Sequence, residues 1–190
     1  MTLFQLDKKT FVCAPECFSE YKKRLSPFGI NLICGETELK SNYPDDIAYN
    51  IFKTEKLALG KFSSSDNIVL NLLKANETEM TEVKQGYSKC SVCSFGNCAI
   101  TADSGLFSIL KNKGMKVLKI PCGEIILKGY DYGFIGGASG EGPGGEVFFF
   151  GDLKSITYGE KIREFVLENG WSVTEIKNYP LTDTGTIFFC

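Results

Sequence analysis

Residues 87–120 read YSKCSVCSFGNCAITADSGLFSILKNKGMKVLKI, and this stretch decides the fold. It opens on a half-buried strand pattern, Cys90–Phe95, turns at Gly96-Asn97, and runs back as a second strand, Cys98–Thr101. Asp103 or Ser104 then caps an amphipathic helix with Leu106, Phe107, Ile109 and Leu110 on its apolar side. Gly114 stops that helix in the left-handed conformation a helix end favours, and Met115–Ile120 returns as a third strand. The order is strand, strand, helix, strand, a ββαβ unit.

The same order recurs on both sides. Before it, Ile51-Phe52 follows Asn42-Tyr43-Pro44, Ser64 or Ser65 caps a helix bearing Ile68, Val69, Leu72 and Leu73, and Thr78–Lys84 forms the returning strand. After it, Gly133–Ala138 and Glu146–Phe150 are the strands. The next helix carries Tyr158, Ile162, Phe165 and Val166, stops at Gly170, and leads into Trp171–Ile176. Tyrosines 43, 87, 130 and 179 mark the modules, and Asn178-Tyr179-Pro180 repeats the tripeptide at 42–44. The termini read as halves of a fourth module. Asp183–Cys190 is expected to give its opening strand. Thr10–Cys13, a helix with Phe18, Tyr21 and Leu25, and Ile30–Ile33 give the rest. The predicted architecture is α/β, one domain over residues 1–190. It is a pseudo-symmetric ring of ββαβ units, closed where the C-terminal strand joins the N-terminal segment, an arrangement that removes open strand edges.

Composition narrows the function. The 190 residues carry 21 Lys+Arg against 23 Asp+Glu, a net charge of −2, which excludes the basic surface of a nucleic-acid or anionic-membrane binder. The longest apolar run, Val147–Phe150, falls far short of the roughly 20 residues of a membrane span. The N-terminal residues show no basic stretch before an apolar core, so the expectation is a cytoplasmic protein whose 8 cysteines are free thiols. There is no histidine. That excludes a histidine general base, a Cys-His or Ser-His dyad, and a histidine metal site. The spacing Cys90-x2-Cys93-x4-Cys98 lacks the second pair a zinc ribbon needs, so neither a metal nor a cofactor is expected.

Repeated ββαβ units are the building block of the guanidino-group-modifying enzyme fold, the pentein or α/β-propeller superfamily, and the chain resembles it. From about Val83 to Gly185 it looks like one of the bacterial branches of unassigned activity. The resemblance is carried by Gln85–Ser91, Ile100–Gly105, Gly129–Gly140, Phe150–Leu153 and Asp183-Thr184-Gly185. The superfamily name implies five units where four are counted. Catalytic members use a cysteine nucleophile, a histidine and acidic residues that hold the guanidinium, so without histidine that machinery does not carry over. Superfamily members that act by binding alone exist, including a ribosome anti-association factor.

In such a ring the polar residues after each repeat tyrosine approach a central channel: Asp46, Ser88, Lys89, Asp131 and Asp183. Asp103 and Asp152 stand where a second strand gives way to a helix, so each either caps that helix or faces the channel. Gly136 and Gly137 point to close approach of another backbone or of a ligand. Gly140–Gly145 precedes a strand, so it reads as a wide hairpin turn and not as a phosphate loop. The expected ligand set is Asp46, Asp103, Asp131, Gly136, Gly137 and Asp183. Convergent carboxylates of this kind suit a small polar or cationic partner, a guanidinium or an amine, held without catalysis. The alternatives are a cysteine hydrolase or transferase acting on guanidino or amidino groups through Cys90 or Cys190, and a protein-interaction module.

Overall fold

A computed structural model describes residues 1–189. Strands and helices follow in chain order as β1 (Leu3–Gln5), β2 (Thr10–Cys13), α1 (Pro15–Leu25), β3 (Asn31–Cys34), β4 (Phe52–Lys53), β5 (Leu57–Gly60), α2 (Asn67–Ala75) and β6 (Glu79–Glu82). There follow α3 (Ser88–Ser91), β7 (Val92–Phe95), β8 (Cys98–Thr101), α4 (Ser104–Asn112), β9 (Lys116–Lys119), β10 (Ser139–Glu141), β11 (Glu146–Phe149), α5 (Gly159–Glu168) and β12 (Ser172–Glu175). The strands form four three-stranded sheets, β1-β2-β3, β4-β5-β6, β7-β8-β9 and β10-β11-β12. In each, the first pair is antiparallel and the second parallel, with a helix in the crossover. The ββαβ module is therefore present four times among the described residues.

Two compact units divide the chain, Met1–Ser88 and Lys89–Phe189, with two modules in each. The core of the first gathers Phe4, Val12, Tyr49, Ile51, Val69 and Leu73. That of the second gathers Phe95, Ile100, Val147, Phe149, Ile162 and Leu181. The central strands explain why these cores fill. β5 and β8 are buried along their whole length, so they read as continuous runs of small and apolar residues. The returning strands β6 and β9 keep exposed charged residues at both ends.

The structure departs from several local expectations. The N-terminal module is not split between the chain ends. Leu3–Gln5 supplies its opening strand locally, with Phe4 opposite Val12 and only 1% exposed. Residues 183–189 form no strand, and Cys190 lies outside the described residues. Three residues with no marker tyrosine before them gave too short a pattern to register as an alternation. The helix α2 is capped by Asp66 and not by Ser64 or Ser65, which belong to a preceding 3-10 turn and its end. Cys90-Ser91 closes a helical turn and does not begin β7, because the Ser88 hydroxyl is pinned. It takes the Phe52 N–H at 3.2 Å and donates to the Leu59 carbonyl at 2.7 Å. Gly133–Ala138 is irregular chain ending in a turn at Ile135–Ala138, and the strand expected there is Ser139–Glu141. The glycine-rich segment after it makes the expected hairpin turn into β11, closed by Gly142 N–H to Glu146 O at 2.8 Å.

Candidate functional site

The expected site residues have different surroundings. Asp103 is the N-cap of α4: Oδ1 accepts the Leu106 N–H at 2.8 Å, and β-region backbone angles (φ −79°, ψ 125°) suit that role. Asp152 does the same for a 3-10 turn, accepting from Lys154 at 2.9 Å and from Asn178 at 3.2 Å. Those N–H groups hold its carboxyl below the ordinary aspartate value. Asp131 is exposed at a bend of the chain.

Asp183 and the two glycines do come together, in the second unit. The segment 179–184 is laced between two neighbours: Ile126 donates to Leu181 O and accepts from Asp183 N–H, while Thr182 donates to Phe150 O. This carries the Asp183 side chain inward until the residue is 6% exposed. Oδ2 accepts the Phe134 N–H and Oδ1 the Gly185 N–H, each at 2.8 Å. The carboxylate rests on Gly137, where an added Cβ would lie 2.0 Å from Oδ1. At Gly136 a Cβ would meet the Val92 carbonyl oxygen at 2.3 Å and that of Lys89 at 2.5 Å. Of the two readings open for these glycines, the structure displays close approach of protein groups. The turn holding them is tied to α3 by Gly137 N–H to Cys90 O at 3.0 Å.

Two cysteines and a lysine border this turn. The Cys90 thiol is buried and donates to Gly185 O at 2.9 Å. Cys93 is 1% exposed, and burial pushes its thiol up to about 11. Burial lowers the Lys89 ammonium, opposed by the nearby Cys90 and Cys93 charges. Among the described residues no group of three His, Cys, Asp or Glu side chains is arranged to hold a metal ion. No helix among them is long and apolar enough to cross a membrane.

Asp46, in the first unit, differs from all of these. It follows Tyr43-Pro44 in a run of turns and is half-buried. Oδ2 accepts the Tyr87 hydroxyl at 2.6 Å. Oδ1 is buried and meets no hydrogen-bond donor among the described residues. The Tyr87 ring lies 5.9 Å from that of Tyr43, whose hydroxyl accepts from the Lys61 ammonium at 3.0 Å. Gly86 makes room for this pair, since a Cβ there would sit 2.6 Å from the Tyr43 ring. Sequence reasoning named Asp46 and used Tyr43 and Tyr87 only as repeat markers. It missed Lys61 altogether, because nothing in the spacing joins residue 61 to residue 43. A carboxylate with one oxygen committed to a phenol and the other unanswered is equipped to accept a charge-assisted hydrogen bond.

The chain belongs to a family of unknown function, DUF6873, whose model matches residues 1–188. No curated protein matches it in sequence. Among solved structures it is similar to a dimethylarginine dimethylaminohydrolase from Pseudomonas aeruginosa, a cysteine-to-serine mutant complexed with citrulline. That match has a TM-score of 0.54 and 12% identity over 93% of this chain and 67% of the other. A dimethylarginine dimethylaminohydrolase adduct with 4-chloro-2-hydroxymethylpyridine matches at TM-score 0.56 and 13% identity, over 93% and 68%. A histidine-to-glycine variant adduct with S-methyl-L-thiocitrulline matches at 0.55 and 14%, over 97% and 68%. At these identities the likeness shows the fold alone, a mixed α/β fold of the pentein type.

Proposed function

With that fold as the premise, we propose that the protein binds a small polar or cationic molecule of the guanidino or amine class without transforming it, and that Asp46 receives the cation. The observation supporting this is the buried, unanswered Oδ1 of Asp46. An unpaired buried carboxylate oxygen costs about 1–3 kcal/mol or more, and a ligand N–H that fills the vacant bond recovers it. Tyr87 fixes the carboxylate orientation through its hydroxyl, leaving the second oxygen as the acceptor. The ring of modules with a central channel belongs to the same proposal. Binding without chemistry is favoured by the absence of histidine and by Cys93, whose raised thiol is protonated at neutral pH.

Thermal-shift measurements against arginine, agmatine, citrulline and polyamines test this reading. At least one guanidino or amine compound raises the melting temperature of the native protein, and Asp46→Asn loses that rise. A panel in which none acts contradicts it.

A cysteine hydrolase or transferase is the second reading, and one observation favours it: the Lys89 charge lies near the Cys90 and Cys93 thiols. Iodoacetamide at neutral pH separates the two. Under the binding reading the exposed Cys34 and Cys122 react first and Cys90 stays slow. A hyperreactive Cys90 transfers the assignment to the enzyme.

A further inference from the structure

The first unit holds a thiol cluster that the proposed binding site does not use. Cys13 ends β2 and Cys34 ends β3. The two strands are parallel neighbours, and their register places Cys13 directly beside Cys34. Adjacent strands lie about 4.8 Å apart, and laterally paired residues in a parallel ladder send their side chains to the same face. That separation falls within the roughly 4.4–6.8 Å of Cα spacing a disulfide accepts. Both sulfurs are free thiols. Their accessibilities are opposite, with Cys13 fully buried and Cys34 exposed. Cys17, in the first turn of α1, is half-buried and stands close enough to act on the Cys13 charge, as Cys34 does.

We propose that Cys13 and Cys34 form a reversible redox pair, with Cys34 the sulfur that meets oxidant and Cys13 the one that resolves it. The oxidant class is a hydroperoxide. The Cys34 sulfur attacks the terminal peroxide oxygen, the O–O bond breaks, and Cys34 becomes a sulfenic acid as water or alcohol leaves. The Cys13 sulfur then attacks the Cys34 sulfur and the S–O bond breaks, releasing water. Two thiols lose two electrons and two protons in all, and two thiols of a reducing partner reverse the step. The division of labour follows from position. Burial, with the neighbouring Cys34, Cys17 and Glu16 charges, pushes the Cys13 thiol up to about 12, so the exposed residue is the one that starts.

A bridge whose Cys34 end is exposed is open to attack by reducing thiols, which places it among reducible, regulatory disulfides and not among buried structural ones. Its mechanical target is local. Gly35 N–H donates to Cys13 O at 2.8 Å. Just beyond, Glu36 and Thr37 give their N–H groups to Asp66 Oδ2 at 2.8 and 2.7 Å. Oxidation therefore fastens the segment that steadies the cap of α2.

The test treats the full chain with hydrogen peroxide, blocks remaining thiols, digests it without reductant and maps the peptides by mass spectrometry. The expected product is a 13–34 linked peptide lighter by two hydrogen atoms, dominant over every other linkage and lost on adding dithiothreitol. Cys34→Ser, at an exposed position, loses the linkage entirely. Cys13→Ser, if it folds, leaves Cys34 trapped by a sulfenic-acid reagent. A dominant 17–34, 13–17 or intermolecular bond overturns the proposal, and so does Cys34 accumulating as sulfenic or sulfinic acid in the native chain.

Discussion

Two aspartates follow the two Asn-Tyr-Pro tripeptides, and the protein uses them in opposite ways. Asp183, after Asn178-Tyr179-Pro180, is buried with both oxygens accepting backbone N–H groups. Asp46, after Asn42-Tyr43-Pro44, is half-buried, with one oxygen on Tyr87 and the other without a donor. The difference lies in what the neighbouring chain offers. At 183 a glycine run brings bare backbone within reach of the carboxylate. At 46 the neighbours are aromatic side chains, and a phenol donates a single hydrogen. An aspartate soon after the tripeptide, two residues on at 46 and three at 183, becomes a structural clasp where amides surround it and keeps an unanswered oxygen where rings do.

The largest effect expected from this contrast is at the clasp. Asp183→Ala removes the acceptor of both the Phe134 and Gly185 N–H groups, and a loss of about 3 kcal/mol follows. Gly137→Ala, which drives a Cβ into the same carboxylate, acts in the same direction through overpacking. Urea denaturation midpoints measure both, and near-native midpoints would erase the contrast.

Acid comes next, through a third aspartate in the first unit. Burial raises the Asp66 carboxyl, but the Glu36, Thr37 and Val69 N–H groups outweigh it and hold the group below its ordinary value. A depressed folded value means stabilisation that is complete above the unfolded value of about 4 and is lost as pH falls through the folded one. Unfolding free energy is thus expected to stay level on this account from pH 7 to about 5 and to drop below about 4. Asp66→Asn weakens that acid dependence. A drop that Asp66→Asn leaves unchanged assigns it elsewhere.

Smaller still is Asp103→Ala, which removes one cap bond from α4 and costs about 1 kcal/mol with the fold intact. Smallest is Asp46→Asn. The amide oxygen still accepts from Tyr87 and the unanswered charge is gone, so stability stays within about 0.5 kcal/mol or rises slightly. A cost at Asp46 as large as that at Asp183 would mean both residues are clasps.

The modules were legible because their signals are local. The Gly96-Asn97 turn into β8, the Asp103 cap and the left-handed Gly114 and Gly170 (φ 81° at each) all lie within a few residues of the elements they define. What escaped depends on partners remote in sequence. The segment 133–138 reads as a strand until Gly136 is seen against the Lys89 and Val92 carbonyls and Gly137 against Asp183. The turn at Ser88 depends on carbonyls and amides near residues 52 and 59. For the site, the sequence named six residues, with a capping role already open for Asp103. Only the hydrogen-bond partners, invisible to spacing, separate a cap such as Asp103 and a clasp such as Asp183 from the acceptor at Asp46.

The most direct measurement follows the side-chain carboxyl 13C resonance of Asp46 while a guanidino or amine compound, agmatine first, is added to the native protein. The account predicts a saturable shift at Asp46 with Asp183 silent. A saturable response at other carboxylates, with Asp46 unmoved at full occupancy, contradicts it.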